Sequence, residues 1–435
     1  MRLKARPSGP LKGRARPPGD KSISHRALIL GALAKGETVI EGLLESEDVL
    51  NTAGAVRAFG AGAEKGADGL WRVAGAGGVS QPAETIECGN SGTAARLLMG
   101  AAAAYPISAR YDGDSSLRKR PMNRIITPLT QMGARFDAPD GKLPLIVHGG
   151  RLNGITYRSP VASAQVKSAA LLAGLNAEGD TVVIEPERSR DHTERMVAAF
   201  GGAVDSVEID GASHPRVRRS VLTGTRVYVP ADPSSAAFPL AAALIVGGSE
   251  VVVEDVLINP LRTGLYETLL EMGAQLSFEE RRDPAGEPIA NLVARTSELT
   301  GVAPPAKRAP SMIDEFPILS VLAAFADGET RITGAEELRV KESDRITLMV
   351  DGLRSCGVEV EELPDGLIVH GRGPKGVRGG GEIRTAGDHR VAMSFLVLGL
   401  AAKEPVIVDE GEMIATSFPG FAAMMRALGA RIDEA

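Results

Sequence analysis

Runs of small apolar residues recur along this chain, each followed by a turn and a β-branched stretch. Segment 28–34 leads into Thr38-Val39-Ile40, 169–175 into Thr181-Val182-Val183-Ile184, and 239–246 into Val251-Val252-Val253. Segments 318–324 and 391–401 lead in the same way into Thr330-Arg331-Ile332 and Val406-Ile407-Val408, while 94–104 into 107–111 is the weakest copy. A run apolar on every side predicts a buried helix, and the mixed stretches between predict amphipathic helices facing water. A second phrase closes each amphipathic stretch: Phe59-Gly60-Ala61, Met132-Gly133-Ala134, Phe200-Gly201-Gly202, Met272-Gly273-Ala274, Cys356-Gly357-Val358 and Leu428-Gly429-Ala430. Glycine there suits a left-handed residue just past a helix end. A spacing of roughly 70 residues, stretched once between the fourth and fifth copies, marks repeated supersecondary units.

Each unit reads strand, loop, apolar helix, strand, amphipathic helix, strand, strand. Six copies in two sets of three predict an α/β protein of two pseudo-threefold domains. Two prolines in Pro230-Ala231-Asp232-Pro233 place the join there. Segment 281–288 reads as a solvated hairpin tip. Echoed strands end in His148 and His370, which read as structural.

Composition narrows the function. A chain of 435 residues is long enough for two cores. Its 49 basic and 55 acidic residues give a net charge of −6, which excludes a general nucleic-acid footprint. Two cysteines, Cys88 and Cys356, form no CxxC and read as small core residues, without a disulfide framework or a metal site. No apolar run reaches membrane-spanning length and the basic N-terminus lacks a signal-peptide core, so the expected location is cytoplasmic.

Chemistry-bearing residues gather just before the apolar helices. The first loop is Gly19-Asp20-Lys21-Ser22-Ile23-Ser24-His25-Arg26, in which Ser22 and Ser24 are good cap residues. The others hold Gly89-Asn90-Ser91-Gly92-Thr93, Ser163-Ala164-Gln165-Val166-Lys167-Ser168, Asp232-Pro233-Ser234-Ser235, Ser311-Met312-Ile313-Asp314-Glu315 and Gly387-Asp388-His389-Arg390. Helix N-termini attract anions, and if several meet in an inter-domain cleft their fields add. Further loops carry Arg118-Lys119-Arg120-Pro121, Arg188-Ser189-Arg190-Asp191-His192 and Lys341-Glu342-Ser343-Asp344-Arg345. Cations at loop-to-helix junctions of an acidic protein point to small phosphates and carboxylates as ligands. Asp314 and Glu342 are then candidate proton carriers.

Taken together and in order, these motifs closely resemble the 5-enolpyruvylshikimate-3-phosphate synthase family over essentially the whole chain. The resemblance implies an inside-out α/β barrel type of fold, with the buried helices' N-termini facing the cleft. It also implies that the first strand, about 11–17, packs with the C-terminal domain. The expected domains are therefore 19–230, and 1–18 plus 231–435. The implied reaction moves the enolpyruvyl group of phosphoenolpyruvate to the 5-hydroxyl of shikimate 3-phosphate and releases phosphate, with no cofactor and no metal.

By the same resemblance, Lys21, Arg120, the Gly92 backbone and Gln165 hold the phosphoenolpyruvate phosphate, and Asn90 and Thr93, in the loop of Gly92, are further substrate-binding residues. Arg345 and Arg390 hold its carboxylate, with His389 adjacent. Ser22 and Arg26 bind the shikimate ring and carboxylate; Ser163, the Ala164 N–H and Arg190 bind its phosphate. Asp314 takes the hydroxyl proton with Lys341 beside it, Glu342 handles the methylene proton, and Lys21 is a third candidate for proton transfer. His25 and Asp388 read as loop-stabilising. Ala164 stands where many relatives have Ser, and Thr416 where some have Lys, so one cationic contact is missing and Arg390 or Lys119 takes more of the load. Gly92 leaves room for glyphosate as an inhibitor. The expected partners are these two small molecules, with no nucleic acid and no membrane, for a monomer. Two other readings stand beside this one: a UDP-N-acetylglucosamine enolpyruvyl transferase, whose loop cysteine has no counterpart in 116–120, and a non-catalytic anion-binding protein of the same fold.

Overall fold

The computed structural model describes every residue except Ala285. The chain divides into two compact units, Gly19–Val229 with Pro284–Glu287, and Met1–Pro18 with Pro230–Asp283 and Pro288–Ala435.

One sheet plan runs through the first unit. A short strand pairs in parallel with the strand after the apolar helix; two antiparallel strands follow. Ile86–Glu87, Ser108–Asp112, Leu145–His148 and Arg135–Asp137 form one such sheet. Thr156–Arg158, Thr181–Ile184, Ala212–Val217 and Val204–Ile209 form the next. In the third, Arg226–Tyr228, from the end of the unit, pairs with Lys35–Glu41, followed by Trp71–Ala76 and Gly62–Lys65.

The second unit repeats the plan with two strands borrowed from the N-terminus. Lys12–Ala15 opens the sheet of Glu250–Leu257, Ile289–Arg295 and Gln275–Arg282. Leu3–Arg6 lies between Val406–Val408 and Arg431–Glu434, with Glu382–Ile383 at the far edge. The remaining sheet has three strands, Asp327–Ile332, Gly366–Arg372 and Glu359–Leu363, plus one parallel bridge from Thr300 to Asp327.

The apolar runs are the buried helices Lys21–Leu33, Gly92–Ala103 and Ala164–Gly174 in one unit, and Pro233–Ile245, Phe316–Phe325 and His389–Ala401 in the other. Every residue from Pro233 to Leu244 is buried. Small residues matter for close approach as well as for burial: a Cβ on Gly100 would lie 2.4 Å from the Ala169 carbonyl oxygen of a neighbouring helix. The amphipathic helices Glu47–Ala58, Asn123–Met132, His192–Ala199, Gly264–Glu271, Arg345–Ser355 and Phe421–Ala427 bury one face each. The glycine past each adopts the left-handed backbone its spacing predicted, with φ of 95°, 115°, 77°, 85°, 80° and 106° at Gly60, Gly133, Gly201, Gly273, Gly357 and Gly429.

Two local expectations need correction. Asp20, rather than Ser22 or Ser24, caps the first helix: its Oδ1 accepts the Ile23 N–H at 2.8 Å. Ser24 instead lies in the buried first turn, where its hydroxyl accepts the Leu44 N–H at 3.0 Å. A carboxylate also suits the positive helix end better than a hydroxyl. Segment 281–288 is a hairpin tip but not a fully solvated one, because Glu287 is buried against His192 at 2.6 Å. Ala285 lies outside the described residues. Among the described residues no helix is long and apolar enough to cross a membrane.

Candidate active site

In the first unit three helix starts carry the motif residues. Lys21 is the first helical residue and pairs with Asp48, whose side chain is buried. Arg26, one turn on, is almost fully buried. Its guanidinium donates to Thr193 Oγ1 and Ser168 Oγ, both at 2.7 Å, and to the Ser22 carbonyl at 2.9 Å. Those acceptors come from three helices, so Arg26 ties together the loops at their N-termini.

The second helix begins at Gly92 behind its cap Ser91. A Cβ on Gly92 would lie 3.1 Å from Arg96 Nη1 and 3.3 Å from Arg120 Nη1, so two guanidiniums flank this backbone position. Arg120 Nη2 donates to Asn90 Oδ1 at 2.7 Å, and Asn90 donates to Asp114 at 2.6 Å. Gln165 bridges the second and third helices: it donates to Thr93 Oγ1 at 3.0 Å and accepts from Arg96 at 2.5 Å. Ser163 caps the third helix, leaving Ala164 as its first residue. Arg190 lies two residues before the helix His192–Ala199. Arg96 is a cation that the sequence reading missed. The available signal was its position one turn beyond Gly92, on the same helix face.

In the second unit, Arg345 is the hub. It is only 1% exposed, and each of its three nitrogens meets a different carboxylate. Nε lies 2.8 Å from Asp388 Oδ2, Nη1 3.3 Å from Asp314 Oδ1, and Nη2 2.5 Å from Glu342 Oε2. Burial alone would favour the neutral form; Asp388, Glu342 and Asp314 together outweigh it and raise the pKa, so Arg345 stays charged. Lys341 Nζ stands 3.6 Å from Asp314 Oδ1, and Arg390 lies 4.0 Å from the same oxygen while donating to the Asp314 carbonyl at 3.4 Å.

Asp388 is fully buried and serves several groups at once. Oδ1 caps the helix His389–Ala401 by accepting the Arg390 N–H at 2.9 Å; Oδ2 accepts from Arg345 and from Ser343 at 3.0 Å. Burial pushes its pKa up, but Arg345 outweighs that and the carboxyl is held below its ordinary value. His389 is buried with Nδ1 3.3 Å from the Thr416 hydroxyl, so this pair occupies the region where a lysine was noted as absent.

Other loops close on themselves. Asp232 caps its own helix through the Ser234 and Ser235 N–H groups, and Ser234 donates to the buried Glu315. Arg118 is held by Asp112 at 2.6 Å, while Lys119 is exposed. His148 lies 2.9 Å from both Ser108 and Asp137, and His370 lies 3.0 Å from Glu361; both span neighbouring strands. Among the described residues, Asp191, His192 and Glu287 have the composition of a metal site, but the Arg195 guanidinium already lies 2.9 Å from Asp191 and 3.8 Å from Glu287.

What the two sets offer chemically is anion binding by fixed cations and helix starts in one unit. The other unit holds three carboxylates against one buried guanidinium. Comparison with known proteins agrees. A family model described as EPSP synthase (3-phosphoshikimate 1-carboxyvinyltransferase) matches residues 5–425. The 3-phosphoshikimate 1-carboxyvinyltransferase of Phenylobacterium zucineum is 60% identical, covering 99% of this chain and 95% of that protein. Its Caulobacter vibrioides namesake is 57% identical over 100% and 99%. An EPSP synthase structure from Acinetobacter baumannii superposes with a TM-score of 0.88 at 44% identity, covering 99% of each chain. The enolpyruvyl transferase NikO from Streptomyces tendae, at 18% identity and a TM-score of 0.78, shares the fold. By sequence and by structure over nearly its full length, the chain belongs to the EPSP synthase family.

Proposed function

We propose that this chain transfers the enolpyruvyl group of phosphoenolpyruvate to the 5-hydroxyl of shikimate 3-phosphate. The observation that carries this reading is the 60% identity, spread over 99% of the chain, to a protein named for that activity. A proton goes to the methylene carbon of phosphoenolpyruvate while the 5-oxygen attacks the adjacent carbon. The tetrahedral adduct then loses phosphate and a proton from the new methyl group, which restores the double bond.

The residue roles are those that the family resemblance implies, and the charges and positions described above support them. Lys21, Arg120, the Gly92 N–H and Gln165, with Asn90 and Thr93 fixing the loop, hold the phosphate that leaves; Arg96 joins them, since it flanks Gly92 and Gln165. Ser22 and Arg26 take the shikimate ring and carboxylate; Ser163, the Ala164 N–H and Arg190 take its phosphate. Arg345 and Arg390 hold the phosphoenolpyruvate carboxylate, with His389 adjacent, and Lys341 stands beside Asp314. Arg345 differs from a simple carboxylate clamp. Its guanidinium is already shared among Asp314, Glu342 and Asp388. A substrate carboxylate that competes for that guanidinium would free Asp314 or Glu342 to accept a proton. Asp314 removes the hydroxyl proton and Glu342 carries the methylene proton, with Lys21 available at the leaving phosphate.

The test is phosphate release from phosphoenolpyruvate in metal-chelated buffer, with shikimate 3-phosphate or UDP-N-acetylglucosamine as acceptor. Release with shikimate 3-phosphate alone is the expected result. Release with only the UDP-sugar, or with neither, overturns the reading in favour of the sugar-nucleotide enzyme or a binding protein. The same reading makes the enzyme a cytoplasmic monomer that glyphosate inhibits in competition with phosphoenolpyruvate. Gly92 supports the inhibition, because it adds no side chain between the two guanidiniums.

A further inference from the structure

The first unit buries an ion cluster for which the proposed reaction has no direct use. Lys167 Nζ is 2.9 Å from Glu194 Oε1, 3.1 Å from Glu185 Oε2 and 3.0 Å from the Ser189 carbonyl oxygen. The Lys167 and Glu185 side chains are 3% and 6% exposed. An ammonium has three N–H bonds, and these three acceptors match them, so Lys167 is held inside the fold despite its place in a motif loop. Burial opposes its charge, but Glu194 and Glu185 outweigh that and keep it protonated. Buried ion clusters are poor sources of net stability. This one does have a second effect, which is to hold a carboxylate in place.

That carboxylate joins two loops. Glu185 Oε1 accepts the Ser189 hydroxyl at 2.6 Å and the Ser163 N–H at 3.2 Å; Oε2 accepts the Ser189 N–H at 3.4 Å. Ser163 caps the helix Ala164–Gly174, and Ser189 immediately precedes Arg190. Because the Ser163 N–H is taken, an incoming anion finds the Ala164 N–H and the Ser163 hydroxyl. The hydroxyl oxygen accepts from Val166 at 3.5 Å, which leaves its hydrogen to donate.

We propose that Glu185, anchored by Lys167, is a positioning residue that sets the distance between the Ser163–Ala164 helix start and Arg190 for the phosphate of shikimate 3-phosphate. The proposal rests on the reading that these three residues hold that phosphate. Glu185 itself does not touch the ligand.

The experiment compares Glu185→Gln, Ser189→Ala and Arg190→Ala in the full-length enzyme, measuring kcat, KM for each substrate and Tm. Glu185→Gln turns an N–H group towards Lys167 and should raise KM for shikimate 3-phosphate about tenfold, the scale of one lost charged hydrogen bond. KM for phosphoenolpyruvate should rise no more than about twofold, because Lys21, Gly92 and Arg120 lie on other loops and Gln165 alone shares this helix start. Ser189→Ala, which removes one tie without disturbing the charge, should raise the same KM about threefold and serves if Glu185→Gln does not fold. A lower Tm with both KM values unchanged, or an equal rise in both, overturns the proposal. If Arg190→Ala raises KM for shikimate 3-phosphate while the other two variants do not, positioning by Glu185 is wrong and the phosphate site stands. If Arg190→Ala leaves that KM unchanged, both fall.

Discussion

Arg345 and Asp388, 43 residues apart in sequence, meet through Nε and Oδ2 at 2.8 Å with both side chains closed to solvent. The same Asp388 caps the helix that carries His389 and Arg390. One carboxylate thus orients a guanidinium and a helix start together. Asp388→Ala should cost about 3–5 kcal/mol, because it removes both the fully buried counter-charge of Arg345 and the cap of the helix His389–Ala401. Asp388→Asn keeps a cap acceptor and should cost less, about 1–2 kcal/mol. Urea midpoints check both. An unchanged midpoint for Asp388→Ala would mean that Asp314 and Glu342 suffice to balance Arg345.

Asp314→Asn and Glu342→Gln each leave Arg345 with two charged partners, so both variants should fold. Each should lower kcat by about 10²–10⁴-fold, the range for losing a general acid or base. The pH–rate profile separates them from merely structural changes. Glu342→Gln should remove a limb of that profile, and a profile of unaltered shape would exclude Glu342 as a proton carrier.

Gly92→Ala places a methyl group 3.1 Å from Arg96 Nη1 and 3.3 Å from Arg120 Nη1. That spacing is tight enough to shift one guanidinium. The unsubstituted enzyme should be inhibited by glyphosate, and the alanine variant should show an inhibition constant about tenfold higher, as expected for a small overpacking penalty. KM for phosphoenolpyruvate should rise less. An unsubstituted enzyme fully active in high glyphosate would refute the role given to Gly92.

His25 is fully buried, with Nδ1 2.7 Å from Thr52 Oγ1. Burial first, then the charges of Lys21 and Arg26, hold its pKa well below the ordinary 6.5. The folded protein therefore keeps His25 neutral where the unfolded chain would bind a proton. Stability is unaffected by this group above the unfolded pKa. It falls as pH drops below about 6.5, by up to ~1.4 kcal/mol per pH unit, until the folded pKa is reached. Urea titrations from pH 7 to pH 5 should show this slope, and His25→Gln should flatten it. An equal slope in the variant would assign the acid sensitivity to other groups.

Cys88 and Cys356 are both buried, and burial raises the pKa of each thiol. Neither has the thiolate character that alkylating reagents require. Activity of the folded enzyme should survive such reagents. Rapid loss of phosphate release on alkylation would favour the sugar-nucleotide reading.

Local information was enough for the repeat. A glycine after each amphipathic helix takes positive φ because a side chain there would clash with its own backbone, and that preference is written in single residues. The buried helices were equally legible, since a run with no polar face has to be covered. Lys341, Glu342 and Arg345 could be read together because one turn of chain spans them.

Other features depended on what lies far away in sequence. Leu3–Arg6 and Lys12–Ala15 are unremarkable short strands, and only pairing with Val406–Val408 and Glu250–Leu257 assigns them to two different sheets. Asp20 and Ser22 are both acceptable caps by type; the burial of Ser24 against Leu44 decided where the helix starts. Arg96, Asp48 and Glu185 carry no motif, and their significance comes from partners 20 to 70 residues distant (~70 Å or more along an extended chain). Sequence determined which backbone geometries and which buried faces were possible, because those follow from short-range sterics and hydrophobicity. Tertiary packing decided which charge meets which, because a buried ion is tolerated only where the fold brings it a partner.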